Sequence, residues 1–337
     1  MLTRFKLCLL FPFLSVLSFS ASAQSDACWV QHRATVYEWT CAAKSLPLEG
    51  KPFALSIVVV QGKDALMVLD SGATAAVGEQ AALAIRTKFG VQPIWLVNSQ
   101  PKPEHVLGNV GFRSVFSRTL KPGEEFSDRV VAGKTTAELM KRCPTCIQNF
   151  AMRLGNASVA GTESLVPKRI LRSATGHLGS LSGDWVGWQY RLVKNLETEE
   201  GLVLRHSDLN LWWVGSAVQN LEIPDLYDGD IIARINYLGR LKARLKGDDS
   251  LLTSFGLLSH DWVHRNLTYF VGLQQQIIEG IEAGTPEVEL INALSANMGQ
   301  YKNPVYVQTD TQALARELET HQLNIQRIYR QTETLVF

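Results

Sequence analysis

The sequence predicts an α/β fold, because strand-like and helix-like segments alternate along the chain. Two β-rich runs, 53–60 and 65–69, are separated by a Gln-Gly-Lys-Asp turn, which is typical of a hairpin. Across 77–89 apolar residues recur at helical spacing, and Gly90 follows where a helix C-cap is expected. An apolar strand, 93–97, comes next. This order favours a sheet with parallel neighbours, which binds ligands beyond the carboxyl ends of its strands.

The rest of the chain contains both kinds of element. Strands are predicted at 184–193, 202–205 and 209–214, and helices at 135–142, 147–154, after Asp230, and at 273–283, 288–296 and 314–329. No Pro-rich or Gly-rich linker divides the sequence. Residues 24–337 are therefore predicted to form a single domain.

The first 23 residues have the pattern of a cleavable signal peptide. Arg4 and Lys6 precede an apolar stretch, 7–19, and Ala21-Ser22-Ala23 provides the small residues after which signal peptidase cuts. The apolar stretch is too short to span a bilayer comfortably. The mature chain is predicted to begin at Gln24 and to be periplasmic or secreted.

Composition excludes some classes of function. The chain has 33 basic and 32 acidic residues, so no excess of charge would recruit nucleic acid. Its 46% hydrophobic and 19% charged residues are typical of a globular protein. After the signal peptide no apolar stretch of about 20 residues occurs, so no membrane span is expected.

Four cysteines remain after Cys8 leaves with the signal peptide, and an even number in an exported protein predicts disulfides. Cys28 and Cys41 flank a β-rich stretch that would pair them as a hairpin. Cys143 and Cys146 form a Cys-Pro-Thr-Cys motif. This motif follows a predicted helix rather than a strand, which favours a structural disulfide over a redox-active dithiol.

One segment, from Asp70 to Phe112, carries a resemblance to a known family. A predicted strand ends in Asp-Ser-Gly, a helix follows, and the next strand runs into Asn-Ser-Gln-Pro-Lys-Pro-Glu-His and then Gly-Asn. This resembles the metallo-β-lactamase superfamily, in which Asp-Thr/Ser-Gly and a helix precede Asn-Thr-HxHxDH and Gly-Asn. The resemblance implies a four-layer αββα sandwich, with Asp70 ordering the loops of the metal site.

The resemblance places the family's metal ligands on residues that are mostly unsuited to zinc. The first two histidines fall on Gln100 and Lys102, the aspartate falls on Glu104, and the third histidine is retained as His105. An ammonium group has no lone pair to donate. At about 4 Å, with an effective dielectric of about 20, it repels a divalent ion by about 8 kcal/mol. Structural zinc sites bind with about 10–16 kcal/mol.

A second similarity lies downstream. Leu-Trp-Trp-Val-Gly-Ser216 resembles the family segment Leu-Phe-x-Gly-Asp, so Ser216 replaces an aspartate that bridges two metals. In the same alignment, the family's upstream histidine corresponds to Glu197 and its later histidine corresponds to Phe255. An offset of a few residues would bring in His206 or His260 instead.

A narrower resemblance concerns the end of the chain. Ile223-Pro224 and the closing helix with Asn324, Arg327 and Tyr329 look similar to periplasmic superfamily members associated with quinoprotein dehydrogenase systems.

These replacements predict an exported protein with a degenerate zinc site, non-catalytic or weakly active, that binds a small molecule or a periplasmic protein and no cofactor. The candidate cleft residues are Asp70, Gln100, Lys102, Glu104, His105, Glu197 and Ser216.

Two alternatives stay open. The first is a zinc hydrolase for esters, thioesters or lactams, in which Glu104, His105 and Glu197 hold a rearranged metal that activates water. The second is a thiol-disulfide accessory factor with a reactive, exposed Cys143.

Overall fold

Two β-sheets packed face to face form the centre of the protein. The computed structural model describes residues 27–47, 55–221, 223–301 and 311–336, and all structural statements refer to these ranges. The predicted signal peptide, 1–23, lies outside them. Within the described ranges, no helix combines the length and the apolar character that crossing a bilayer requires.

The first sheet has seven strands that lie side by side in chain order. They are β1 (Trp29–Arg33), β2 (Val36–Trp39), β3 (Ile57–Gln61), β4 (Leu66–Leu69), β5 (Ile94–Val97), β6 (Val130–Gly133) and β7 (Arg169–Leu171). Neighbours are antiparallel from β1 to β4 and parallel from β4 to β7. Parallel neighbours need crossover connections, and helices provide them.

The crossover helices include those predicted at 77–89, 135–142 and 147–154, and two further helices, 103–106 and 109–116, that were not predicted. They are α1 (Ala75–Phe89), α2 (Pro103–Val106), α3 (Asn109–Phe116), α4 (Lys134–Met140) and α5 (Pro144–Leu154). The side chain of Thr74 accepts a hydrogen bond from the Val77 amide at the start of α1, and Gly90 ends the helix at φ 81°. Gly90 lies where the sequence pattern predicts the end of this helix, and Thr74 is an N-cap that was not predicted.

The second sheet has six strands in the order β13, β12, β11, β10, β9, β8. They are β8 (Thr175–His177), β9 (Trp188–Lys194), β10 (Glu200–His206), β11 (Leu211–Trp213), β12 (Ser250–Thr253) and β13 (Gly256–Leu258). The predicted strand at 184–193 begins later than expected, because residues 183–185 form a turn of 3₁₀ helix in which the Trp185 amide bonds to the Ser182 carbonyl.

Four helices cover the second sheet. They are α6 (Ile231–Arg244), α7 (Asp261–Glu282), α8 (Glu287–Ala296) and α9 (Thr311–Val336). Asp230 caps α6 by accepting from the Ala233 amide. Helix α7 starts 12 residues before the predicted 273, because Val263, Tyr269 and Phe270 continue its buried face toward the N-terminus.

Side chains alternate between the two faces of each sheet, and this alternation defines four layers. On β3, Val59 packs in the core beneath α1 and α3, whereas Val58 packs between the sheets. On β11, Trp212 packs beneath α6 to α9 and Trp213 packs between the sheets. The predicted αββα sandwich is confirmed.

Both predicted cysteine pairs are within disulfide distance. Strands β1 and β2 form the expected hairpin, which places the Cα atoms of Cys28 and Cys41 5.3 Å apart. The Cα atoms of Cys143 and Cys146 are 4.8 Å apart. Cys143 follows a helix, as predicted, but it also precedes α5, and it is only 3% exposed.

Candidate functional site

The candidate site lies where β4 and β5 end. These strands are parallel neighbours, so the loops after them meet at one edge of the sheet. Asp70 follows β4 directly, and its carboxylate accepts from the Ser99 amide at 2.8 Å, the Ser99 hydroxyl at 2.8 Å and His105 Nδ1 at 2.6 Å. Asp70 has a left-handed φ of 62°, uncommon outside glycine. These three hydrogen bonds stabilise that conformation.

Close backbone packing and side-chain hydrogen bonds explain the glycine and asparagine residues of the segment that resembles the family. The Gly108 amide bonds to the Gly72 carbonyl at 2.8 Å. A Cβ on Gly78 would lie 2.0 Å from the Gly108 carbonyl oxygen, so the backbones of α1 and of the loop before α3 approach here at a distance that only glycine allows. Asn98 and Asn109 exchange two side-chain hydrogen bonds of 2.8 and 3.0 Å. The motif therefore fixes both loops.

His105 is completely buried and bonded at both ring nitrogens. Nδ1 faces Asp70, and Nε2 lies 2.7 Å from Gln100 Nε2. With Gln100 donating, the ring is neutral and carries its proton on Nδ1. Burial lowers the pKa of His105, but the adjacent Asp70 carboxylate outweighs it, so the pKa is raised above 6.5. A second proton would make Nε2 a donor, and Gln100 would then have to present its amide oxygen.

Glu197 lies in the turn between β9 and β10 and is the centre of the buried hydrogen bonds. Its Oε1 accepts from Gln219 Nε2 at 2.7 Å and from Arg234 Nη2 at 3.0 Å. Its Oε2 accepts from the Ser216 hydroxyl and, at 3.2 Å, from Gln100 Nε2. Four protein donors therefore satisfy this carboxylate.

Lys102 approaches the same carboxylate from the loop before α2. Its Nζ lies 3.5 Å from Glu197 Oε2 and 2.8 Å from the centroid of the Tyr227 ring. The side chain is buried, yet Nζ donates no hydrogen bond to any residue in the described ranges. Burial lowers the pKa of Lys102, and the charges of Glu197, Glu104 and Asp225 oppose this lowering only in part.

Two cations therefore share one carboxylate. Burial alone would raise the pKa of Glu197, but Lys102 and Arg234 lower it, and hydrogen bonds add to their effect, so that it falls to about 2. Glu197 is ionised at neutral pH. We name Gln100, Lys102, Glu197, Ser216, Gln219 and Arg234 the Glu197 network.

Two members of this network, Arg234 and Gln219, were not predicted from the sequence. Arg234 lies in the first turn of α6, is 1% exposed, and also donates to the Ala217 carbonyl at 2.8 Å. Helical periodicity could have marked Arg234 as buried, because it lies on the same face of the helix as Ile231, Leu238 and Leu241. Gln219 left no comparable signal.

Tyr227 was also missed. It covers Lys102 from the segment 223–230 and has a left-handed φ of 51°, rare for a bulky residue. Helix α9 holds this segment, since Asn324 bonds to the Leu226 amide at 2.9 Å and the Pro224 carbonyl at 2.8 Å. The last helix thus positions one wall of the cleft.

Of the remaining predicted residues, Glu104 lies beside the cleft, whereas His206 and His260 lie outside it. Glu104 is buried beside the cleft, and no described residue donates a hydrogen bond to its carboxylate. His206 lies at the far end of β10 from Glu197, where it contacts Trp188, and His260 bonds to the Asp249 carbonyl at 2.7 Å. The structure therefore brings neither alternative histidine into the cleft.

The space beside the network is small. A cavity of about 20 Å³ is bounded by Ser99, Gln100, Glu197, Ser216 and the start of β10. This volume suits one water molecule. Among the described residues, no group of three or more His, Cys, Asp or Glu side chains is arranged to hold a metal ion. The arrangement does not fit the zinc site that the resemblance implies, because the donors bind one another and an ammonium lies among them.

No family model matches the sequence, and no curated protein matches it either. Solved structures do match. A metallo-beta-lactamase from Pontibacter korlensis aligns over 72% of this chain and 98% of its own, with a TM-score of 0.52 and 16% identity. The chain has the metallo-β-lactamase fold.

Other metallo-β-lactamase folds align similarly. The DIM-1 metallo-beta-lactamase covers 72% of this chain and 96% of its own, at a TM-score of 0.51 and 12% identity. The inverting sec-alkylsulfatase Pisa1 from Pseudomonas sp. aligns over 90% of this chain and 49% of its own, at 0.61 and 11%. At these identities the likeness is one of fold.

Proposed function

We propose that this is an exported metallo-β-lactamase-fold protein with a degenerate zinc site, which is non-catalytic or weakly active and binds a small molecule or a periplasmic partner at the cleft or its rim. The observation that carries this proposal is the buried contact of Lys102 with Glu197. An ammonium 3.5 Å from this carboxylate occupies the space where a cation would have to bind.

The rest of the Glu197 network supports the same conclusion. Zinc needs lone pairs directed at it, but the Glu197 oxygens already accept from four side chains and His105 is bonded at both nitrogens. Binding zinc would require breaking several of these bonds and moving Lys102. The same cost weighs against a rearranged hydrolytic site.

Export is supported by two cysteine pairs at disulfide distance, which suit an oxidising compartment. Burial of Cys143 at 3% exposure weighs against a redox-active dithiol, because thiol exchange needs an accessible sulfur. We propose further, on the resemblance at Ile223-Pro224 and the closing helix, that the protein belongs to the branch associated with quinoprotein dehydrogenase systems. Asn324 and Arg327 of that helix bond to the segment after Ile223.

The test is elemental analysis of the chain beginning at Gln24, purified without chelators, followed by zinc titration while the melting temperature is recorded. We expect no stoichiometric metal and no stabilisation. A positive control combines Gln100→His, Lys102→His, Glu197→His and Ser216→Asp, which supplies zinc donors at the network positions and should bind zinc.

The same preparations are assayed with a β-lactam, a thioester and a secondary alkyl sulfate. We expect no turnover by the wild type above that of a heat-inactivated sample. Near-stoichiometric zinc in the wild type, together with zinc-dependent hydrolysis, would overturn the proposal in favour of a hydrolase.

A further inference from the structure

A second cavity, of about 360 Å³, lies at the opposite edge of the first sheet from the cleft. Its lining residues Ala65, Pro93 and Arg129 directly precede β4, β5 and β6, and Arg169 begins β7. These are the amino ends of the parallel strands, whereas the cleft lies beyond their carboxyl ends. The cavity is thus independent of the Glu197 network and of the function proposed for it.

The floor of this cavity is apolar. Trp95 is 8% exposed and packs between the two sheets together with Ala65 and Leu181, which line the cavity beside it. Small-molecule sites commonly have this composition, with a largely apolar interior of several hundred Å³ and a few polar groups at fixed positions.

The rim carries the charges. Lys121, Arg129 and Arg169 are basic and Asp64 and Glu124 are acidic, so three positive charges face two negative ones. A net positive rim of this kind suits one negatively charged group on a ligand.

The two arginines differ in what they bind. Arg129 is held by Glu124 through two hydrogen bonds, one of them 3.0 Å long, and these bonds lower the pKa of Glu124. Arg169 is exposed, and its guanidinium makes no hydrogen bond or ion pair with any described residue. Its Cζ lies 5.5 Å from the centroid of the Trp95 ring, and that of Arg129 lies 4.8 Å from it. Arg129 is therefore fixed, and Arg169 keeps its donors free.

We propose that this cavity binds a small apolar monocarboxylate, with its carboxylate on Arg169. The guanidiniums of Arg129 and Arg169 already lie over the Trp95 ring, so the apolar part of the ligand lies beside it, against Ala65 and Leu181. A guanidinium pairs with a carboxylate through two parallel hydrogen bonds. The Arg129 pair with Glu124 stabilises the wall on which the ligand lies.

The test is isothermal titration of the mature protein with benzoate, and with benzamide as a neutral molecule of the same shape. We expect saturable benzoate binding, weaker benzamide binding, and about tenfold or greater loss of benzoate affinity in Arg169→Gln. Arg172→Gln, which removes an exposed arginine outside the cavity, should bind benzoate like the wild type.

Folding does not confuse this test, because Arg169 is exposed and the melting temperature of Arg169→Gln should match that of the wild type. Absence of saturable benzoate binding at millimolar concentration would overturn the proposal. So would equal binding of benzoate and benzamide, or unchanged affinity in Arg169→Gln. The zinc experiment has no bearing on these outcomes, so either proposal can fail alone.

Discussion

Arg234 donates a hydrogen bond of 3.0 Å to Glu197, and the two side chains are 1% and 3% exposed. The same guanidinium also donates to the carbonyls of Ala217 and Asp225. Lys102, the second cation at this carboxylate, makes no hydrogen bond within the described ranges. The two cations therefore contribute differently to stability.

Replacing Arg234 with Met should destabilise the protein by about 3–5 kcal/mol, because the Glu197 charge would stay buried without the cation that is hydrogen-bonded to it. Urea unfolding at neutral pH measures this loss. Arg240→Met, at an exposed position of the same helix, is the matched control and should change stability by less than about 0.5 kcal/mol. Equal effects of the two variants would contradict the central role of the Arg234 pair.

Replacing Lys102 with Met should change stability by less than about 1 kcal/mol or should stabilise the protein. The substitution removes a buried ammonium without hydrogen bonds and leaves Glu197 with its other four donors. The same urea experiment decides this point. A loss as large as that of Arg234→Met would show that Lys102 is a main support of the network.

Acid should weaken the protein through Glu197. Its folded pKa, about 2, lies below its unfolded value near 4.5, so the ionised group stabilises the fold above about pH 4.5. This stabilisation is lost as the pH falls from about 4.5 to 2, and it amounts to the order of 3 kcal/mol. Between pH 7 and 2.5, the free energy of unfolding should fall more steeply for the wild type than for Glu197→Gln. Glu199→Gln, at an exposed neighbour, should follow the wild type.

His105 should titrate above pH 6.5, since the carboxylate of Asp70 raises its pKa. A raised folded pKa means that this stabilisation is complete below about pH 6.5 and is lost as the pH rises through the folded value. Nitrogen-detected NMR of the His105 ring distinguishes its neutral and its protonated state. In Asp70→Asn the carboxylate is gone and burial remains, so the pKa of His105 should fall below 6.5. An unchanged titration would contradict the assigned pair.

Gly78→Ala should strongly destabilise the fold, because its Cβ would lie 2.0 Å from the Gly108 carbonyl oxygen and backbone would have to move. We expect a loss above about 3 kcal/mol. Gly239→Ala, in the interior of α6 with open space around the new Cβ, should stabilise by about 0.5–1 kcal/mol. Thermal unfolding of the two variants should therefore shift in opposite directions.

Local patterns predicted the fold well. The period change after Asp70, the Gly90 cap and the alternation of strands with helices each correspond to an observed element. Some errors lie at boundaries, as at residues 183–185, where a hydrogen-bonded turn replaces the start of a strand. The short elements β6, β7, β8, β12, β13, α2 and α3 were not predicted.

Only those residues of the candidate site that belong to short sequence motifs were predicted. Gln100, Lys102, His105, Glu197 and Ser216 lie together, as the resemblance implies. The other partners of Glu197 come from positions up to 37 residues away, and their role depends on how α6 packs. Helical periodicity can predict that an arginine is buried, but it cannot predict which carboxylate the arginine binds.

The contacts of α9 have a consequence for how Lys102 is kept from water. Asn324 and Gln331 bond to backbone atoms 98 to 102 residues earlier, at Leu226, Pro224, Gly229 and Ile231. Ordering so distant a part of the chain costs loop-closure entropy, which the packing of α9 has to offset. The cover that Tyr227 places over Lys102 therefore depends on the docking of the last helix.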